Sequence, residues 1–167
     1  MVVNHILSAT EPDWSRERRN GWEPGKALVK TIRDYQRSGG SGVGAKMATL
    51  RHRFWSVITG AEVPLTCKLG GGLMLPHPNG IVFHPDVEIG PNCMIFQQVT
   101  LGYADGGVPR LGGHVDVGAG ARLIGPITVG DHARIGANAV VTIDVPAGAT
   151  AVGIPARIVK DQDLTDG

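Results

Sequence analysis

Two periods divide the chain. Up to about residue 60, apolar side chains recur at helical spacing and predict two helices. The first runs from about Pro24 to Ser38, with Pro24 tolerated in the first turn and Leu28, Ile32 and Tyr35 on one face. The second runs from about Ala45 to Thr59, where Met47, Leu50, Phe54 and Val57 recur at i, i+3, i+7 and i+10 and Gly60 is placed to cap the end. A shorter helix is compatible with the residues after Pro12. The link from Gly39 to Gly44 matches neither the dinucleotide-binding glycine pattern nor a phosphate loop, and reads as a flexible connector.

From Val63 onward a period of six replaces the helical one. Aliphatic or aromatic leads stand at Val63, Leu69 and Leu75, then, after a shift of two, at Phe83, Ile89, Ile95 and Leu101. A ten-residue step leads to Leu111, Val117, Leu123, Val129, Ile135 and Val141, so that thirteen hexads share one template. Four places after most leads sits a small or aliphatic residue, among them Cys67, Cys93, Ala121, Ala133 and Ala139. If each hexad is a short strand plus a bend, three make a triangular coil of 18 residues that hydrogen-bonds to the next about 4.8 Å away. Leads then stack on leads, and the glycine that often follows a lead permits the bend. Both cysteines fall at the small inward position and read as buried filler.

Composition fits this picture. Glycine supplies 25 of 167 residues, about twice the usual share, while aromatics make up 5%. With 42% hydrophobic residues a packed fold is attainable, and the length suits one domain with a small appendage. The net charge of +1 gives no electrostatic case for nucleic acid or a membrane surface. No apolar run approaches a membrane span, and the start resembles no secretory leader, so a cytoplasmic location without membrane insertion is expected.

The hexads resemble those of the hexapeptide-repeat acyltransferases. Within that superfamily, the runs from Glu62 to Val82 and from Gln97 to Gly102, and the ending from Gly153 to Val159, are similar to the serine acetyltransferase family. The resemblance implies an all-β fold: a left-handed parallel β-helix over residues 61–160, preceded by a helical region at 1–60 and followed by a tail at 161–167. It also implies transfer of an acetyl group from acetyl-CoA to a hydroxyl, with His77 as general base and Glu62 as the carboxylate that orients it. Glu62 lies 15 residues before His77, close to one coil, so the two are expected on adjacent coils. Acetyl-CoA is expected near Gly102, Ala119 and Ala137, with Arg134, Arg157 and Lys160 toward its phosphates. Asn79 and Tyr103 are the candidates for acceptor contact, and a homotrimer with sites between subunits is implied.

His114 and His132, 18 residues apart, should stack at equivalent positions. The ligand spacing of the zinc-binding β-helix proteins is not apparent, and no metal is expected. The chain also departs from the serine acetyltransferases. Val108 stands where they carry a second histidine, the loop from Tyr103 to Arg110 is about four residues shorter, and their terminal isoleucine is missing. These departures rank a sugar or other non-serine hydroxyl first as acceptor, L-serine second, and a non-acetylating scaffold or zinc enzyme third.

Overall fold

In the computed structural model, which describes residues 7–159, the six-residue period becomes short strands of two or three residues wound into three parallel sheets. One face carries β1 (Lys68–Leu69), β3 (Glu88–Ile89), β6 (Arg110–Leu111) and β9 (Thr128–Val129). The second carries β4 (Met94–Ile95), β7 (Asp116–Val117), β10 (Arg134–Ile135) and β12 (Thr150–Val152), closed by the antiparallel β13 (Arg157–Val159). The third carries β2 (Val82–Phe83), β5 (Thr100–Gly102), β8 (Arg122–Ile124) and β11 (Val140–Val141). The expected leads and their small partners are buried and form one continuous core. The fold is the parallel β-helix that the hexads predict, with the left hand that the family resemblance implies.

Register locates the irregularities. Val82 pairs with Thr100, eighteen residues on, and Asp116 with Arg134 likewise. Lys68 instead pairs with Glu88, twenty on, and Thr100 with Arg122, twenty-two on. The two surplus residues belong to the corner from Pro76 to Gly80, and the four to the loop from Tyr103 to Pro109.

The glycines after the leads act by closeness of approach, in place of the bend expected of them. A Cβ on Gly70 would lie 2.5 Å from the Gly90 carbonyl carbon, and one on Gly90 would lie 2.5 Å from that of Gly112. Neither has a positive φ. The left-handed corner positions fall elsewhere, at Gly72, Asn92, His114, His132 and Gly148 along one edge.

Helix α1 (Pro24–Arg37) covers the first coil, with Leu28, Val29 and Ile32 in the same core as Leu73, Leu75 and Ile81. Arg33 fastens it, donating to the Leu69 and Gly70 carbonyls and pairing with Glu17 at 2.8 Å. The residues after Pro12 form a single 3-10 turn, Trp14–Glu17. Helix α2 (Gly42–Thr59) begins earlier than expected, so the connector shrinks to a few residues, and Gly60 ends it in the left-handed region at φ 63°. Its orientation overturns the ordinary reading of an apolar stripe. The packed side is Ala45, Ala48, His52 and Thr59, whereas Met47, Leu50, Phe54 and Val57 face outward. Small residues let α2 lie close against α1, where the Thr31 hydroxyl and His52 Nδ1 are 3.0 Å apart.

Candidate active site

His77 stands on the corner that the two surplus residues enlarge. Pro76 and Pro78 flank it, and the loop is closed by Ile81 N–H donating to the Pro78 carbonyl at 3.2 Å. Gly80, at φ 69°, donates to the Gly60 carbonyl at 2.8 Å, and Gln98 N–H donates to the Asn79 carbonyl at 2.9 Å. The corner is thus held between the end of α2 and the next coil. The His77 side chain is exposed and has no hydrogen-bond partner among the described residues. An imidazole so held is free to take a proton from an incoming hydroxyl.

Glu62 lies on the coil before, at the head of the third face. Its N–H donates to the Ile81 carbonyl and its carbonyl accepts from Phe83, so it pairs with Val82 and not with His77. The two lie on adjacent coils, but the twenty-residue coil puts Val82, five residues past His77, opposite Glu62. Glu62 and His77 share the corner region, but no hydrogen bond joins their side chains.

The expected acetyl-CoA residues fall at separate places on one chain. Gly102 ends β5, at the edge from which the four-residue insertion springs. Ala119 and Ala137 occupy the same corner as His77 on later coils, with Asn138 N–H donating to the Ala119 carbonyl at 2.8 Å. Arg134 and Arg157 are exposed on the second face, in β10 and β13. Lys160 lies outside the described residues. Asn79 is exposed beside His77, its side chain lying where a Cβ on Gly60 would come within 2.8 Å.

Tyr103 belongs to a second feature. The inserted loop overhangs the first face and makes a cleft walled by Lys68, Glu88, Arg110 and Thr128, with Val108 and Tyr103 on the loop side. Lys68 and Glu88 pair across its floor at 2.6 Å. His77 does not line it. Tyr103 is exposed and stacks on His84 with ring centroids 5.5 Å apart. His84 belongs to no sequence motif, and only coil stacking brings it to Tyr103. Gln97 likewise belongs to no motif, and its side-chain oxygen is buried without a partner among the described residues, on the coil next to the His77 loop.

His114 and His132 stack as expected, with their Nδ1 atoms 2.8 Å apart, and among the described residues no third ligating side chain joins them. Cys67 and Cys93 are buried and unbridged, and burial pushes both thiols up to about 12.

No family model matches the chain. A serine acetyltransferase of Helicobacter pylori is 47% identical over 110 residues, which cover 63% of this chain and 64% of the relative. One of Mycobacterium tuberculosis is 35% identical over 125 residues, 72% of this chain and 55% of the relative. A Brucella abortus serine acetyltransferase, solved in complex with coenzyme A, superposes with a TM-score of 0.72 at 30% identity, covering 83% of this chain and 56% of that one. The chain therefore spans between half and two thirds of the length of these relatives. Over most of its own length the chain is similar to the hexapeptide-repeat serine acetyltransferases, and it shares their solenoid.

Proposed function

We propose that the protein is an acetyl-CoA-dependent O-acetyltransferase in which His77 is the general base. The observation that carries this reading is the enlarged corner, which presents an exposed imidazole between two prolines, on the same edge of the prism as Ala119 and Ala137 of later coils. The hydroxyl proton passes to His77 as the oxygen attacks the thioester carbonyl. The tetrahedral intermediate collapses with cleavage of the carbon–sulfur bond, and the imidazolium returns the proton to the departing CoA thiolate. No covalent acyl-enzyme is required, and neither cysteine is placed to form one. Glu62 is the carboxylate that orients His77 and stabilises its protonated form, and Asn79 contacts the acceptor.

Acetyl-CoA occupies a groove between neighbouring β-helices of a homotrimer. This accounts for the separation of Gly102 from Ala119 and Ala137 on a single chain. Arg134, Arg157 and Lys160 meet the CoA phosphates there.

The names of the relatives favour L-serine as the acceptor, ahead of the sugar ranked first from sequence. A sugar or another hydroxyl remains the second reading on one observation: Val108, not histidine, stands in the shortened loop beside the exposed Tyr103 ring. Release of CoA thiol, corrected for hydrolysis, across L-serine, free sugars and nucleotide sugars separates the two. Turnover of serine supports the first, and turnover of a sugar alone supports the second. Failure of every hydroxyl acceptor, with His77→Ala indistinguishable from wild type, overturns both.

A further inference from the structure

The near-neutral net charge hides an uneven distribution. Residues 1–60 hold ten Lys and Arg against five Asp and Glu, whereas the remaining 107 hold six against ten. The helical region is cationic, and α2 itself contains no acidic residue.

The outward side of α2 adds an apolar stripe to that charge. Val43, Met47, Leu50, Phe54, Val57 and Ile58 are exposed, Val43 and Val57 each to 81% and Leu50 to 64%. At about 100° per residue these six fall within one third of the helix circumference, opposite the packed alanines. Lys46 and Arg53 border one edge of the stripe and Arg51 the other. Arg51 reaches Asp34 of α1 at 3.2 Å, while Lys46 and Arg53 have no acidic partner among the described residues.

The edges decide what covers the stripe. A second copy of α2 would bring Lys and Arg against Lys and Arg in either orientation, with no carboxylate on the helix to pair them. A surface of negative charge over a hydrocarbon layer complements both the edges and the centre. The neighbouring aromatics fit the same boundary. Trp22 is 72% exposed, 5.5 Å from Trp55, and the Arg19 guanidinium lies over the Trp55 ring. Indole rings beside cations suit the headgroup level of a bilayer.

We propose that α2 docks the protein on an anionic lipid surface. The stripe lies at the boundary of headgroups and acyl chains, and Lys46, Arg51 and Arg53 lie among the lipid phosphates. No described helix is long and apolar enough to cross a membrane, so the contact is interfacial. Because α2 ends at Gly60 against Asn79, the His77 corner sits at the docked end.

The test is co-sedimentation of the full chain with vesicles of one part phosphatidylglycerol to two parts phosphatidylcholine, and with phosphatidylcholine alone. The wild type should bind the first and release at high salt. Leu50→Asp with Phe54→Asp should weaken binding at least about tenfold while thiol-release activity is unchanged. Lys46→Glu with Arg53→Glu is an independent arm, since each lost cation should cost about fivefold. The proposal is overturned if the wild type ignores phosphatidylglycerol vesicles or if both double variants bind as the wild type does. It is equally overturned if, without lipid, Leu50→Asp with Phe54→Asp sediments as a smaller assembly than wild type, which would assign the stripe to a second copy.

Discussion

The loop that carries His77 takes its position from backbone hydrogen bonds. Gly80 and Gln98 hold the loop by main-chain hydrogen bonds, and the imidazole itself bonds to nothing among the described residues. Removing it should therefore leave the fold alone. His77→Ala is expected to lower kcat for acetyl transfer by about 10²- to 10⁴-fold, with circular dichroism and melting temperature unchanged. The cysteines behave oppositely, since they matter to the core and not to the chemistry. Their ordinary thiol value is 9.0, and burial pushes both up to about 12 in the folded chain. An unfolded chain releases these protons first, so the stability gained by keeping the thiols neutral is complete below about 9 and lost as pH rises toward about 12. Urea midpoints should fall across that alkaline window, and the fall should be shallower in a Cys67→Ala, Cys93→Ala variant. A midpoint that does not move above pH 9 would contradict the buried, neutral assignment.

At the scale of elements, the coils are held together by what their corners leave out. Gly70, Gly90 and Gly112 form a column in which each would-be Cβ meets the backbone of the next coil, or the Asp131 side chain in the case of Gly112. Coil spacing is fixed by strand hydrogen bonds, so an added methyl has nowhere to go. Gly90→Ala should cost about 3 kcal/mol or more, read as a lowered urea midpoint, although its φ suits any residue. Gly60→Ala tests a different cost. The left-handed φ of 63° is unfavourable to alanine, and the new Cβ would displace the Asn79 side chain. That substitution should cost about 1 kcal/mol in stability and also lower kcat through the His77 corner. Both helices were legible in the sequence because the apolar spacing and the Gly60 cap are local signals. The direction in which α2 faces was not. Periodicity identifies a stripe but not what lies against it, and here the alanines opposite Leu50 and Phe54 won the packed side because they permit closer approach to α1.

For the whole molecule, the solenoid could be read from the sequence because each lead stacks on a lead one coil away, which turns a three-dimensional contact into a fixed spacing. The site was legible only where the spacing broke: the shift of two marks the His77 corner, and the ten-residue step marks the Tyr103 loop. Its assembly was beyond the reach of spacing. Gly102 lies at one edge of the third face and Ala119 and Ala137 at the other, a division that no single prism can close into a groove. In the proposed trimer, a second prism laid against that face would bring one chain's alanine corner to another chain's edge, and threefold symmetry would repeat the arrangement without leaving a free end. Sedimentation equilibrium should accordingly return three times the chain mass. Substituting tryptophan at Ala119 should raise KM for acetyl-CoA at least about tenfold by filling the groove, with less effect on acceptor KM. Activity per chain should fall on dilution through the dissociation range and recover on reconcentration. A monomer of full specific activity would show that one prism binds acetyl-CoA unaided and that the shared groove is wrong.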